Sequence, residues 1–217
     1  MPTHCYKTIV RECERALELH GDTFQGAGWT KKKEYAELRY KVMLEGIKES
    51  FPRPVTLLDF GCGAAHLYEY ILAQRLSEIE YSGLDLSEKY IDLCRRKFPE
   101  IEFRQLDLLQ SNGSIPRYDF IVLNGIFNYR GAVGFEEMRQ YFQALLGRIW
   151  PFVRRGMAFN VMSKYLDWER NDLFHLGFDD VARFLDSQIS RHFTIRHDYG
   201  LFEFTVYVYR QSDAESL

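Results

Sequence analysis

Apolar and polar positions along the chain fall into two successive regimes. Over 3–20 and 31–50, Glu, Lys, Arg and Leu recur at helical spacing, and the glycine-rich stretch Gly21-Asp-Thr-Phe-Gln-Gly-Ala-Gly-Trp29 lies between them. Pro52 and Pro54 end the second helical pattern and lead into an extended segment. Short apolar runs then alternate with amphipathic stretches. Strands are predicted over 55–59, 80–85, 101–106, 118–123 and 156–162, and helices over 66–76, 87–97, 135–149 and 178–188. Val55 to Leu58 are apolar without alternation, as suits a parallel strand covered on both faces. Such βα alternation predicts a parallel sheet with helices on both sides. The last two extended runs, 192–199 and 201–210, are separated by little more than Gly200 and predict a hairpin closing the sheet with an antiparallel strand.

The first strand runs into Asp59-Phe-Gly61-Cys-Gly63-Ala-Ala65. Two glycines spaced by one residue let a strand turn sharply into a helix and let backbone approach a ligand. Alone the pair is weak evidence, because any tight strand-to-helix turn favours glycine. Two further strands end in acids, at Asp85 and Asp107, and Asp85 follows Asp59 by 26 residues, about one strand–helix–strand unit.

Asp59-x-Gly61-x-Gly63, Asp85 and Asp107 together resemble the successive binding motifs of class I S-adenosylmethionine (SAM) dependent methyltransferases of the small-molecule type. The resemblance runs from about Val55 to Arg210. Ala65 departs from it, since a third glycine is common there. A nicotinamide dehydrogenase would share the first turn but would keep three glycines and would not need Asp107. The implied fold is α/β, a doubly wound, mostly parallel seven-stranded sheet with a terminal antiparallel hairpin, under an N-terminal helical lid. The domain organisation expected is a single methyltransferase domain over 1–217, with the lid at 1–50, the SAM-binding core at 55–210 and a tail at 211–217.

The resemblance also implies roles. Gly61 and Gly63 would pack against the methionine and ribose portion of SAM, and Asp85 would take both ribose hydroxyls. Leu86 would lie on the adenine ring, and Asp107, with Leu108 beside it, would accept from the adenine amino group. Asp59 would orient the glycine turn or meet the SAM amino group, which the carbonyl near Asn124 would also receive. In the lid, Trp29 and Tyr6 would cover the cofactor, while Arg39 would hold its carboxylate with a planar guanidinium. Each has a plainer reading: a helix cap or turn former for the acids, a surface arginine, an amphipathic tryptophan.

Acceptor-side candidates are Asn128 and Tyr129 after the fourth strand, together with Trp168 and His175 after the fifth. His197, Asp198, Tyr199 and Glu203 in the hairpin turn form the catalytic candidates, with His197 as general base, since imidazole titrates near neutrality. The Asn-Gly-Ile-Phe sequence at 124–127 lacks the prolines of the amino-methyltransferases that act on nucleic acids. The 217 residues carry a net charge of −3, which argues against nucleic acid, whose binders usually carry a basic excess. The only basic runs, Lys31-Lys32-Lys33 and Arg95-Arg96-Lys97, sit among acids. Cys5, Cys13, Cys62 and Cys94 show no metal-ligand spacing, so no metal is expected. Without a signal peptide or long apolar segment the chain reads as cytoplasmic with reduced thiols and no membrane partner. Seventeen Phe and fourteen Tyr exceed what a core needs, so some are expected to line a cavity.

The function expected is methyl transfer from SAM to a hydroxyl or amine of a small metabolite or biosynthetic intermediate, releasing S-adenosylhomocysteine. The alternatives are a nucleic-acid or protein methyltransferase, or an inactive SAM-binding regulator or scaffold. Oligomeric state and acceptor identity are not written in the sequence.

Overall fold

Strand β1 (Val55–Phe60) occupies the middle of the sheet because both of its faces are apolar and covered: Val55, Leu57 and Leu58 are at most 1% exposed. In the computed structural model, which describes residues 6–28, 33–110 and 113–211, β1 pairs in parallel with β2 (Ile79–Asp85) on one side and β4 (Tyr118–Phe127) on the other. β3 (Phe103–Gln105) extends the sheet beyond β2, and β5 (Val153–Ser163) extends it beyond β4. Outside β5 the hairpin of β7 (Phe193–Arg196) and β8 (Glu203–Tyr209) adds β8 antiparallel to β5, with β7 at the edge. The order is therefore β3-β2-β1-β4-β5-β8-β7.

The expected seven strands and terminal antiparallel hairpin are present, with one addition. A two-residue strand, β6 (His175–Leu176), pairs with the end of β5, making eight strands among the described residues. Helices α5 (Phe135–Ile149) and α6 (Phe178–Gln188) match their predicted bounds. The others are α1 (Tyr6–His20), α2 (Lys33–Leu44), α3 (His66–Ala73) and α4 (Glu88–Lys97), whose N-cap Ser87 accepts from the Tyr90 amide.

Two features of this layout create the site. The chain proceeds from β1 to β2 to β3 in one direction, then returns to lay β4 on the other flank of β1. Connections leave these strands in opposite directions, so a crevice opens beyond their carboxyl ends. In addition, β4 loses register with β5 between Leu123 and Phe127, which frees Asn124 to Ile126 from regular pairing. Asn160 of β5 compensates by accepting the Gly125 amide at 2.7 Å.

Most phenylalanines are core residues, while some of the aromatic side chains, Phe202 and Tyr129 among them, line a cavity as expected. Phe142 of α5 has ring neighbours Phe127, Phe159, Phe184 and Phe174 at centroid distances of 4.9, 5.5, 5.6 and 6.1 Å. On the opposite face α2 buries Tyr40, Val42 and Met43 in a second cluster with Leu57, Phe120 and Tyr207. Phe142→Ala removes the hub of the first cluster and should cost about 3–5 kcal/mol, read by equilibrium denaturation. A loss below about 1 kcal/mol would mean that the ring cluster tolerates a void at its centre.

Candidate functional site

At the turn after β1, Gly61 and Gly63 have φ of 78° and 52°, in the left-handed region that glycine adopts without strain. A Cβ on Gly61 would fall 2.7 Å from the Ile126 Cδ1 atom, whereas one on Gly63 would meet nothing within 4 Å. The first glycine is thus required by packing, and the second leaves open space above the turn. Ala65 also sits in the left-handed region, at φ 59°, so the missing third glycine is replaced by a strained residue that opens α3. α4 braces the turn from below: Lys97 Nζ donates to the Ala64 carbonyl at 2.8 Å and Cys94 Sγ to the Gly63 carbonyl at 3.0 Å.

Asp85, at the end of β2, faces this turn. One carboxylate oxygen accepts from the Gly63 amide and the other from the Ser87 amide, both at 2.9 Å. Burial pushes its pKa up against these two bonds. Each oxygen keeps a lone pair, so the orientation is fixed while acceptor capacity remains. Asp59 lies deeper, 3% exposed, with Tyr81 Oη donating to it at 2.9 Å. Burial is the main reason its pKa rises to about 7; the Tyr81 bond opposes the rise and the Asp85 charge adds to it.

α1 and the following loop roof this region. Tyr6 Oη donates to Asp107 at 2.9 Å, Ser87 Oγ to Glu14 at 2.7 Å, and Lys89 pairs with Glu18 at 2.6 Å. Tyr90 Oη reaches the carbonyls of Cys13 and Gly26, at 3.0 and 2.6 Å. Asp22 of the loop bonds His66 Nε2 at 2.9 Å and Lys97 Nζ at 2.8 Å. The resulting cleft measures about 610 Å³, within the range of small-molecule sites of about 300–1,000 Å³.

The far wall is organised around Glu203, 1% exposed at the start of β8. Its carboxylate accepts from Arg39 Nε, Asn160 Nδ2 and Asn128 Nδ2, each at 2.8 Å. Asn160 Nδ2 also donates to Asn124 Oδ1 at 3.2 Å. Asn128 Oδ1 is buried with no hydrogen-bond partner, and so is Glu12 Oε2. Glu12 bonds the Tyr129 hydroxyl and, first among the causes, holds its pKa up at about 12. Trp168 and Phe202 stand at the mouth with ring centroids 5.0 Å apart.

The cleft brings together Arg39, Asp59, Gly61, Gly63, Asp85, Leu86, Asn124, Asn128, Tyr129, Trp168 and Glu203 of the residues singled out in the sequence. Trp29 lies outside the described residues. Asp107 and Leu108 are not among the lining residues. β3 ends at Gln105, so Asp107 falls in the following turn, where it accepts from the Leu109 and Gln110 amides and from Tyr6. Leu108 is buried in the core.

The hairpin-turn group is also corrected. The His197 ring packs edge-on against Phe178 and Phe204, at 5.4 and 6.3 Å, away from the cleft lining. Asp198 pairs with Arg196 at 2.8 Å, and Tyr199 turns inward to Thr205 at 3.0 Å. β7 is the edge strand, so its end lies to the side of the crevice. His175 is likewise structural: Nδ1 bonds the Ser163 carbonyl at 2.8 Å, and the Arg170 amide donates to Nε2 at 3.4 Å. That pattern orients the ring, whose side supports Trp168, 5.9 Å away.

Sequence reasoning missed Glu12, His66 and Tyr90, all of which line the cleft. Their partners lie 44 or more residues away or rest on packing, so no local motif marks them. Among the described residues no cluster of His, Cys, Asp and Glu is arranged to hold a metal ion, and no helix is long and apolar enough to cross a membrane.

Comparison with known proteins converges on this geometry. Residues 58–151 match the family model of a methyltransferase domain. A provisionally named methyltransferase of Mycobacterium tuberculosis is 29% identical over 162 residues, covering 73% of this chain and 95% of that protein. Magnesium protoporphyrin IX methyltransferase from Synechocystis, solved with SAM bound, superposes with a TM-score of 0.63 at 17% identity over 95% of this chain and 97% of its own. The Burkholderia thailandensis 1,6-didemethyltoxoflavin-N1-methyltransferase, solved with that compound and S-adenosylhomocysteine, gives 0.60 at 17% identity, covering 98% and 91%. Matched domain, relative and fold agree with a glycine turn and two acids at the strand-order reversal: residues 58–151 carry a methyltransferase domain, on the fold shared by these SAM-bound and S-adenosylhomocysteine-bound enzymes.

Proposed function

We propose that this methyltransferase acts on a small molecule, at a nitrogen or oxygen, within the cleft between the β4 end and α1. The observation carrying this reading is the cleft itself: a bounded space of about 610 Å³ whose acceptor end is roofed by α1 and edged by Trp168 and Phe202. The net charge of −3 supports it, as do the small-molecule acceptors named for the Synechocystis and Burkholderia proteins. Thiols at Cys62 and Cys94, buried and unpaired, fit a reducing compartment such as the cytoplasm.

The residues present fit SAM. The turn has open space above Gly63, and Asp85 offers two fixed carboxylate oxygens suited to vicinal hydroxyls. Leu86 supplies an apolar surface for a base, and Asp59 sits where a cationic amino group would favour its ionised form. When bound, SAM supplies a methyl group on a positively charged sulfur. What remains for the protein is alignment: backbone at Gly61, Gly63 and Asn124 on one side, Asn128 and Tyr129 on the other. Arg39 spends its Nε on Glu203, so we assign it to positioning that carboxylate and not to holding the cofactor's.

Asp85→Ala should weaken SAM binding by about 1–3 kcal/mol in titration calorimetry, with circular dichroism confirming the fold. Wild-type protein that folds but takes up no SAM would sink the reading. Turnover of bulk tRNA or protein, with none of small acceptors, would redirect it to a macromolecule.

Asp59 supplies a pH signature of the protein alone. Its acid holds a proton up to about pH 7 when folded but only to about 3.8 when unfolded. Stability relative to Asp59→Asn should therefore fall as pH rises from about 4 to about 7, by about 1.4 kcal/mol per unit, and level off above. A constant difference across that window, measured by urea denaturation, would mean that the carboxylate is already ionised in the fold.

A further inference from the structure

We infer that the acceptor is a flat aromatic or heteroaromatic amine, held by an N–H hydrogen bond to Asn128 at the inner end of the cleft while its ring lies along Trp168 and Phe202. This deepens the reading of the site as a small-molecule methyltransferase and rests on it.

Two buried acceptors of the cleft wall are left over. Asn128 is 9% exposed, and its Nδ2 is committed to Glu203, which fixes the amide with Oδ1 turned away from that carboxylate. Oδ1 has no partner. Neighbouring donors Arg39 Nε and Asn160 Nδ2 also end on Glu203, and the Gly125 amide ends on Asn160. Opposite, Glu12 Oε2 is buried without a donor. A buried acceptor lacking a donor has lost its water without replacement, a cost that a ligand N–H or O–H would relieve. The wall thus selects a ligand that donates.

Proton chemistry then separates nitrogen from oxygen. A phenolic or alcoholic O–H must lose its proton as the new bond forms, and the cleft offers no base matched to it. Its one imidazole, His66, has Nε2 engaged by Asp22, Asp85 has both oxygens held by amides, and Glu203 carries three donors. Of the two remaining carboxylates, Asp59 lies beneath the glycine turn with Tyr81 donating to it, away from the Asn128 wall, and Glu12 is engaged by the Tyr129 hydroxyl. An arylamine needs no base: it is neutral at pH 7 and attacks through its lone pair. The nitrogen forms the N–C bond as the methyl–sulfur bond breaks, sulfur keeps that electron pair, and the resulting cationic amine releases its proton to solvent.

The ring preference comes from the mouth. Trp168 and Phe202 are 37% and 56% exposed, yet they meet edge to face at 5.0 Å and both line the cleft. Such a paired, exposed aromatic surface leading into an apolar passage past Ile9 and Met162 matches a flat ring.

The test uses matched probes, aniline against phenol and aminoquinoline against hydroxyquinoline. Methylation by the full chain with SAM is followed by product mass, and binding to protein saturated with S-adenosylhomocysteine by calorimetry. The amines should be N-methylated and bind at least about tenfold more tightly than their hydroxyl counterparts, the scale of one satisfied buried acceptor. Asn128→Ala should lose about that factor for the amine and leave S-adenosylhomocysteine affinity unchanged. Because that change also disturbs Glu203, Trp168→Ala is the second variant, expected to weaken the two-ring amine more than aniline. Methylation of the hydroxyl probes, equal binding of both series, or no methylation of any amine overturns the inference while leaving the methyltransferase assignment intact. Failure to bind S-adenosylhomocysteine would remove the reading on which it stands.

Discussion

Glu203 enters the sheet with its carboxylate out of water and one cation, Arg39, within reach. Stripping such a charge of solvent is costly unless paired and hydrogen-bonded, and here three donors come from three other elements: α2, the β4 end and β5. Those elements are consequently locked to the first residue of β8. Asn160 spreads the constraint, since its other bonds fix Asn124 and the irregular backbone at Gly125. The part of β4 that leaves regular pairing is thus held in one position by a single polar knot. In buried ion pairs attraction is largely offset by desolvation, so the knot's consequence is geometric.

The roof is held differently. α1 buries only Tyr6 among its described side chains, so it contributes little to the core and depends on polar contacts with Asp107, Ser87, Lys89 and the Tyr90 hydroxyl. Segments with few buried apolar contacts open at lower free energy than the sheet they cover. The asymmetry suits a site that must exchange ligands: the wall carrying Glu203 is rigid, and the cover is fastened by groups that water can replace.

Much of this was legible from local pattern. The run Val55 to Leu58, its glycine turn and the spacing to Asp85 specify a strand, a sharp turn and a paired strand, all of which depend on neighbours in sequence. Helices 135–149 and 178–188 were bounded because their apolar faces begin and end with them. What escaped depends on partners far away. Glu203 looked like one acid in a turn cluster with His197, yet it meets Arg39 across 164 residues and Asn128 across 75. An acid opening a strand whose next five residues are all buried is a signal that it needs donors. His197 lies one residue beyond β7, and its ring packs on Phe178 and Phe204, partners that the pattern of the hairpin does not mark. Asp107 failed for a smaller reason: β3 stops at Gln105, one residue before its predicted end and two before Asp107, and a short acid in a turn satisfies local amides.

The two acids of the cofactor half complete the electrostatic picture. Asp59 is buried, receives one hydrogen bond and has no cation among the influences acting on it, while Asp85 repels it. In the protein alone that repulsion is relieved by a proton. A positive charge placed in the cleft would relieve it instead, and proton release and ligand uptake are then two sides of one linkage. On the acceptor wall the corresponding carboxylate already has Arg39, so an incoming cation gains less there. The cleft therefore carries an electrostatic direction, with an uncompensated acid beneath the glycine turn and a compensated one beneath Asn128, and a cationic donor and a neutral acceptor would each settle at the end that suits its charge.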